Sequence, residues 1–305
     1  MFKKYAKVII VNILVVFIIL ELTCYLYWSL DYNKSGYRVV LINPYSLTLQ
    51  SFDNSYRQWK RESLRPVAGS KYHKLPILWF GCSFAYGSGL ANKDIGSYKL
   101  SELSKRPVYN RAFASGSINH MLYQLKDKAF YKEVSNDPEY IIYVWVDVQN
   151  IRNKYLNFIG SNRQNLEYEI SNGTFRQVEL NNFYKYIYFP YSLRVMSFYG
   201  VDSSDENEQY EYFEQAYLEC MKEARKHFPN VKFVVLEYRE SGDRYNYPIP
   251  KFEKLKKQGV TLIDTKELVG VDMSGTKFAI AKWDNHPSSL AWDLIIPKLV
   301  KKLKL

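Results

Sequence analysis

The chain has 305 residues, 47% of them hydrophobic, which suits one sizeable domain and is too apolar for a disordered chain. Its formal charge of +11 comes from 42 Lys and Arg against 31 Asp and Glu. The cations are dispersed, with loose clusters at 222–232, 251–257 and 298–304 and no nucleic-acid reader motif beside them, so no nucleic-acid partner is expected. Three cysteines cannot build a disulfide framework, and no Cys-x-x-Cys or His-x-x-x-His spacing argues for zinc.

The chain opens "MFKKYAKVIIVNILVVFIILELTCYLYWSL". Lys3, Lys4 and Lys7 precede an apolar run from Val8 to Leu20 that continues less purely to Leu30. A helix of roughly 22 residues rises about 33 Å, enough to cross a hydrocarbon layer about 30 Å thick. Tyr25, Tyr27 and Trp28 suit an interfacial aromatic belt, and the leading lysines keep the N-terminus cytoplasmic. The stretch "LELTCYLYW" offers no small-x-small cleavage site, and Glu21 and Thr23 do not fit the positions before a lipidated Cys24. Residues 1–30 therefore predict an uncleaved, single-pass anchor in the cell membrane, with the remainder periplasmic or extracellular. Residues 31–74, polar and aromatic with little period, read as a linker and irregular lead-in.

From Leu75 onward, strand-like and helix-like segments alternate. "LPILWFG" reads as a short buried strand, followed by a loop and a helix near Gly96–Ser104; "PVYNRA" is a second strand. From Ser117 to Val134 helical spacing puts Ile118, Met121, Leu122 and Leu125 on one side. "YIIYVWVDV" is apolar on both faces, as central parallel strands are. Residues 150–206, rich in Asn, Tyr and Phe, read as an insertion over one end of the sheet. "DENEQYEYFEQAYLECMKEARKHF" is a helix, acidic at its start and basic at its end, in accord with the macrodipole. Strand "VKFVVLEY", helix "FEKLKKQG", strand "VTLIDT" and a closing helix "PSSLAWDLIIPKLVKKL", with Pro287 in its first turn, complete the chain. Five strands alternating with helices predict a mostly parallel sheet covered on both faces.

In such a sheet, ligands sit beyond the carboxyl ends of the strands. Ser83, in "FGCSFAYGSGL", follows the first strand and stands among small residues that leave its hydroxyl accessible. A serine becomes nucleophilic only when a base takes its proton. Of the four histidines, His73, His120 and His227 read as surface or packing residues. His286 differs, because Asp284 two residues before it can hold the imidazole in the needed tautomer. Oxyanion donors are sought in the Ser83 N–H, the Gly116 N–H and the amide of Gln149 or Asn150; these last two neighbours point to opposite faces if the strand extends that far, so one of them reaches the site. The Gly-x-Ser-x-Gly elbow fails at Ala85, and "GSGLANK" is no phosphate loop.

These residues resemble the SGNH (GDSL-type) hydrolase superfamily over roughly Leu75 to the C-terminus. "FGCSFAYGSGL" is similar to the pattern Gly-Asp-Ser-Phe-x-x-Gly-x-Gly, with Ser83 at the nucleophile position and Cys82 in place of the usual Asp. "YNRAFASGSINH" resembles the second block through Asn110 and Gly116, and "DNHPSS" the last through Asp284 and His286. Two blocks depart from the pattern: Asp-x-His is one residue shorter than the usual Asp-x-x-His, as in some membrane-anchored glycan-modifying branches, and "VDVQNIR" stands where Gly-x-Asn-Asp is usual. The resemblance implies a three-layer α/β/α sandwich with a flavodoxin-like sheet over 75–305, and neither metal nor cofactor. It implies acyl chemistry by Ser83, His286 and Asp284 on an acylated glycan or other small ester. Hydrolysis and O-acyl transfer to a cell-surface polysaccharide use the same residues; a catalytically inactive, membrane-tethered glycan-binding module is the reading from a different class.

Overall fold

The structure, a computed structural model, describes residues 15–20, 22, 65–112, 116–134, 137–146, 168–171, 174–177, 206–238, 252–271, 273, 277–281 and 284–305. Short apolar runs form a five-stranded parallel sheet: β1 (Ile77–Gly81), β2 (Val108–Asn110), β3 (Tyr140–Trp145), β6 (Lys232–Glu237) and β7 (Thr261–Asp264). Between β3 and β6 the chain adds an antiparallel pair, β4 (Tyr168–Ser171) and β5 (Thr174–Gln177). The order across the main sheet is β2-β1-β3-β6-β7, so all five sequence-predicted strands are present and "YIIYVWVDV" supplies the middle one. Every pairing is parallel, with Trp79 beside Asn110, Gly81 beside Val144, Trp145 beside Glu237 and Glu237 beside Asp264. The chain leaves β1 for β2 on one side and returns to β3 on the other, which opens a crevice at the carboxyl ends of β1 and β3.

Side chains alternate across these strands. Ile77, Trp79, Ile142, Val144, Val234 and Leu236 face one core, covered by α1 (Ser83–Tyr86), α2 (Gly96–Ser104), α7 (Thr265–Val269) and α8 (Ser289–Leu303). Leu78, Phe80, Ile141, Tyr143, Trp145, Phe233 and Val235 face the other, covered by α3 (Ile118–Lys126), α4 (Lys128–Glu133), α5 (Glu206–Arg225) and α6 (Glu253–Lys257). Each fully buried Leu, Ile or Phe contributes about 1.5–3 kcal/mol, and β1 and β3 are buried along their whole length on both faces. The central strands are therefore the stiffest part of the frame.

Four details differ from the sequence reading. The helix expected over Ser117–Val134 is two helices, because Asp127 turns to ψ 115° and its side chain caps the second one through the Ala129 N–H at 2.8 Å. Part of the expected linker and irregular lead-in is ordered against the sheet: Ala68 is buried and bridges Val108 through Ala68 N–H to Val108 O at 3.1 Å and Val108 N–H to Ala68 O at 2.9 Å. "DNHP" forms a strand, β9 (Asp284–Pro287), antiparallel to β8 (Ala279–Ala281), where a turn into the last helix was expected. Pro287 consequently ends a strand, and the cap of α8 is Ser288, whose hydroxyl accepts from Ala291 N–H.

Residues 15–20 and 22 are helical, with Val16 65% and Ile19 58% exposed. Among the described residues no helix is long and apolar enough to cross a membrane. The rest of the expected span, and all of 150–205 save β4 and β5, lie outside them.

Candidate active site

Ser83 begins α1 two residues after Gly81 ends β1, with Cys82 between them. Gly81 makes that turn possible: its φ is +143°, and a Cβ there would come within 2.7 Å of both Ala85 Cβ and Val144 O. At the far end of α1, Gly87 (φ +78°) donates its N–H to Ser83 O at 2.9 Å. The Ala85 carbonyl is held from two sides, by Trp79 Nε1 at 2.9 Å and by Asn110 Nδ2 at 3.1 Å. Asn110 also donates to Ser97 Oγ at 2.9 Å, tying α1, α2 and the end of β2 together. Arg65 grips the loop beyond, donating to Asn92 Oδ1 at 2.7 Å and Gly87 O at 2.8 Å, with its guanidinium 4.6 Å over the Tyr86 ring. A one-turn helix gains little from its own hydrogen bonds; these contacts hold it.

His286 and Asp284 come together on β9. Residues i and i+2 of a strand project to the same side, which explains why Asp-x-His spacing suffices here. One carboxylate oxygen, Asp284 Oδ1, lies 2.5 Å from His286 Nδ1 and also accepts the His286 backbone N–H at 3.0 Å. Two bonds to a single oxygen orient the ring and direct its other nitrogen away. That nitrogen, Nε2, is buried with no hydrogen-bond partner among the described residues. A buried, unpaired polar atom costs about 1–3 kcal/mol, so its retention needs a reason.

The two arms meet. α1 contacts β9, and the ring of Phe84, the residue after Ser83, lies 4.9 Å from the His286 imidazole. Gly116 is described and buried; Gln149 and Asn150 lie outside the described residues. Next to Gly116, the Ser117 N–H donates to His120 Nδ1 at 3.1 Å. That bond requires an unprotonated nitrogen, and burial pushes the ring's pKa down to about 4. His120 is thus a packing residue, as its sequence context suggested, and it pins the loop that carries Gly116. His227 stacks on Tyr131 with centroids 3.6 Å apart, and His73 is exposed.

Cys82 is buried, free and extended at the N-cap of α1. Burial raises the Cys220 thiol well above its usual range, which keeps it protonated and unreactive. Among the described residues no group of three or more His, Cys, Asp or Glu is arranged to hold a metal ion. Sequence reasoning missed Phe84, Trp79 Nε1 and Tyr238, because aromatic contacts across the core leave no local motif.

No family model matches the chain, and no curated protein matches it in sequence. Among solved structures it is similar to a protein from Desulfitobacterium hafniense DCB-2 assigned to the lipolytic G-D-S-L family, at 11% identity and TM-score 0.46, over 75% of this chain and 99% of that one. It is also similar to a salicylyl-acyltransferase of a tetracycline biosynthetic pathway, at 12% identity and TM-score 0.45, over 77% of this chain and 55% of that one. An acetyl xylan esterase from the rumen bacterium Butyrivibrio proteoclasticus aligns at 12% identity and TM-score 0.44, over 79% and 65%. The chain thus spans between half and two thirds of the last two proteins. None of the three transfers a residue role to this chain.

Proposed function

We propose that the chain is a serine esterase of the SGNH type that removes acetyl or another short acyl group from a glycan outside the cytoplasm. One observation carries this reading. His286 has Nδ1 held 2.5 Å from Asp284 while its buried Nε2 is left without a partner among the described residues, beside the helix that begins with Ser83.

In the mechanism that follows, the Ser83 hydroxyl oxygen attacks the ester carbonyl and its proton passes to His286 Nε2. Asp284 stabilises the imidazolium through Nδ1. The tetrahedral oxyanion accepts hydrogen bonds from the Ser83 and Gly116 N–H groups and from the amide of Gln149 or Asn150. Collapse of the intermediate breaks the ester C–O bond, and His286 returns the proton to the departing alcohol. Water, deprotonated by His286, then attacks the acyl-serine; the acyl C–Oγ bond breaks, His286 returns the proton to Ser83 Oγ, and the acid leaves. A sugar hydroxyl in place of that water would make the same step a transfer.

The location belongs to the same proposal. Lys3, Lys4 and Lys7 precede the apolar segment, and its described part, residues 15–20, is helical with an exposed apolar surface. The abundance of tyrosine, 28 residues, suits a sugar substrate.

The test compares full-length protein in detergent with Ser83→Ala. Wild type turns over an acetyl ester and takes a fluorophosphonate label at Ser83; the variant loses the label and roughly 10³-fold or more of the turnover. Equal turnover by both proteins overturns the reading. With a sugar acceptor present, free acid as the only product supports hydrolysis and acylated sugar supports transfer.

A further inference from the structure

Phe84 sits at the junction of the two arms. Its side chain is 4% exposed, and its ring centroid is 4.9 Å from the His286 imidazole at a tilt of 41°. On its other side it meets Tyr238 edge-on at 5.5 Å and 66°. Tyr238 follows β6 directly, is 3% exposed and packs 5.9 Å from Trp292 of α8. Trp292 meets Trp79 of β1 edge-on at 5.7 Å, and Trp79 Nε1 donates to Ala85 O at 2.9 Å, which returns the contacts to α1. The five residues close a circuit from the candidate nucleophile's own helix, through the core, to the face of the candidate base.

A single hydrogen-bonded edge leaves an imidazole free to tilt. Asp284 holds the Nδ1 edge of His286, and the only aromatic face packed on that ring among the described residues is Phe84. We infer that Phe84 is a positioning residue for His286: its ring, backed by Tyr238, fixes the imidazole plane so that Nε2 is presented toward the hydroxyl one residue away from Phe84 itself. This inference rests on the esterase reading above and adds to it a coupling between two arms about two hundred positions apart. The ring does two things there. It blocks the tilt, and its π face meets a group that becomes cationic as the serine proton is taken up. Leucine keeps most of the apolar volume and loses both; tyrosine keeps both.

The experiment uses full-length wild type, Phe84→Leu, Phe84→Tyr and Ser83→Ala in detergent. It measures kcat and KM on an acetyl ester, the rate of fluorophosphonate labelling at Ser83, thermal midpoints, and the NMR signals of the His286 ring protons. Displacing a reacting group by a fraction of an ångström to an ångström costs about 10- to 100-fold in rate. Phe84→Leu is therefore expected to lower kcat by about that factor with KM unchanged, to slow labelling in parallel, and to move the His286 ring signals downfield as the shielding face is lost. Phe84→Tyr is expected to keep kcat within about threefold of wild type. Wild-type kcat and labelling in Phe84→Leu, with wild-type activity still dependent on Ser83, overturn the positioning role and leave the esterase reading intact. Equal losses in the Leu and Tyr variants that follow their thermal midpoints reduce Phe84 to core packing and overturn the role as well. No Ser83-dependent activity in wild type removes both proposals together.

Discussion

The arm that carries Ser83 and the arm that carries His286 are built by opposite means. Ser83 stands at the end of β1, whose residues are buried on both faces and paired with a strand on either side. Its position is imposed by the sheet, by a glycine that tolerates no Cβ and by two donors on one carbonyl. His286 stands on a two-stranded hairpin of short, half-buried strands outside the main sheet. Isolated two-stranded ribbons are marginal in water. Besides its packing on Phe84 and the core, what orders this one is a set of short-range bonds: Asp284 Oδ1 on two groups of His286, Ser288 N–H on Phe278 O at 2.8 Å, and Ser288 Oγ on Lys277 O at 3.1 Å. Damage to the first arm should therefore register mainly as lost stability, and damage to the second mainly as lost chemistry.

Asp284→Asn should give the largest effect. The amide preserves shape but no longer stabilises an imidazolium and can favour the wrong tautomer, so kcat is expected to fall about 10³- to 10⁴-fold. The thermal midpoint should move by only a few degrees, because the pair is partly exposed on a peripheral hairpin. A midpoint shift larger than that of a β1 variant would break the contrast between the arms.

Gly81→Ala probes the other arm. The new methyl meets Val144 O and Ala85 Cβ at 2.7 Å in a backbone conformation that L residues seldom adopt. Relief requires moving β3 or α1, both in the buried core, so a loss of about 3 kcal/mol or more is expected, or about 10 °C in thermal midpoint. Activity per folded molecule should fall too, since α1 carries Ser83. Unchanged stability would mean that the turn after β1 is softer than the contacts imply.

The same contrast decides what could be read from the letters alone. The five sheet strands were legible because parallel strands buried on both faces must be continuous apolar runs, and "ILWFG" and "YIIYVW" are such runs. The position of Ser83 beyond the carboxyl end of β1 was legible because it follows one of them. The hairpin was not. β8 is three residues long and β9 four, too short to establish a period, and Pro287 before a helical pattern reads more naturally as a helix start. Asp284 and His286 stood out as chemistry without the strand that makes their spacing work. The break at Asp127 was hidden because apolar spacing continues through it; only the side chain's bond to Ala129 N–H reveals a cap. Residues 65–74 carry no pattern, because their place in the fold comes from one backbone bridge and from scattered side-chain bonds of Arg65, Tyr72 and Lys74. Phe84 is only one letter of a motif in the sequence, since nothing local announces a partner at position 286.

The loop that carries Gly116 belongs with the rigid arm, and pH tests that assignment. His120 has an ordinary pKa of 6.5 in the unfolded chain and about 4 in the folded one. Between those values the unfolded chain binds a proton that the folded chain refuses. Stability contributed by the neutral ring is whole above about pH 6.5, falls as pH drops toward 4 and is level below that. At about 1.4 kcal/mol per unit the loss is roughly 3 kcal/mol. Asn at position 120 offers an amide oxygen near the place of Nδ1 and does not titrate. Urea midpoints at pH 7 and pH 4.5 should therefore drop more for wild type than for His120→Asn. Equal drops would assign the acid sensitivity to other groups and leave this loop held by something besides the Ser117–His120 bond.

Arg65→Ala is the smallest effect and the finest probe, because it acts on the rigid arm from outside. The guanidinium reaches the loop after α1 through Asn92 Oδ1 at 2.7 Å, Gly87 O at 2.8 Å and Leu90 O at 3.2 Å. Charge-assisted bonds are the stronger kind, but this side chain is only part-buried, and water can replace some of what is removed. Loss of the strap is expected to cost about 1 kcal/mol, or about 3 °C in midpoint. Turnover should fall by no more than about threefold, since Trp79 and Asn110 still hold Ala85 from beneath. Lysine at this position keeps the charge without the planar fork and should recover less than half of the loss. A large fall in kcat with an unchanged midpoint would reverse the assignment. The lead-in would then act on the geometry of Ser83 itself, and the stiffness of the first arm would originate in residues 65–74 as much as in the sheet.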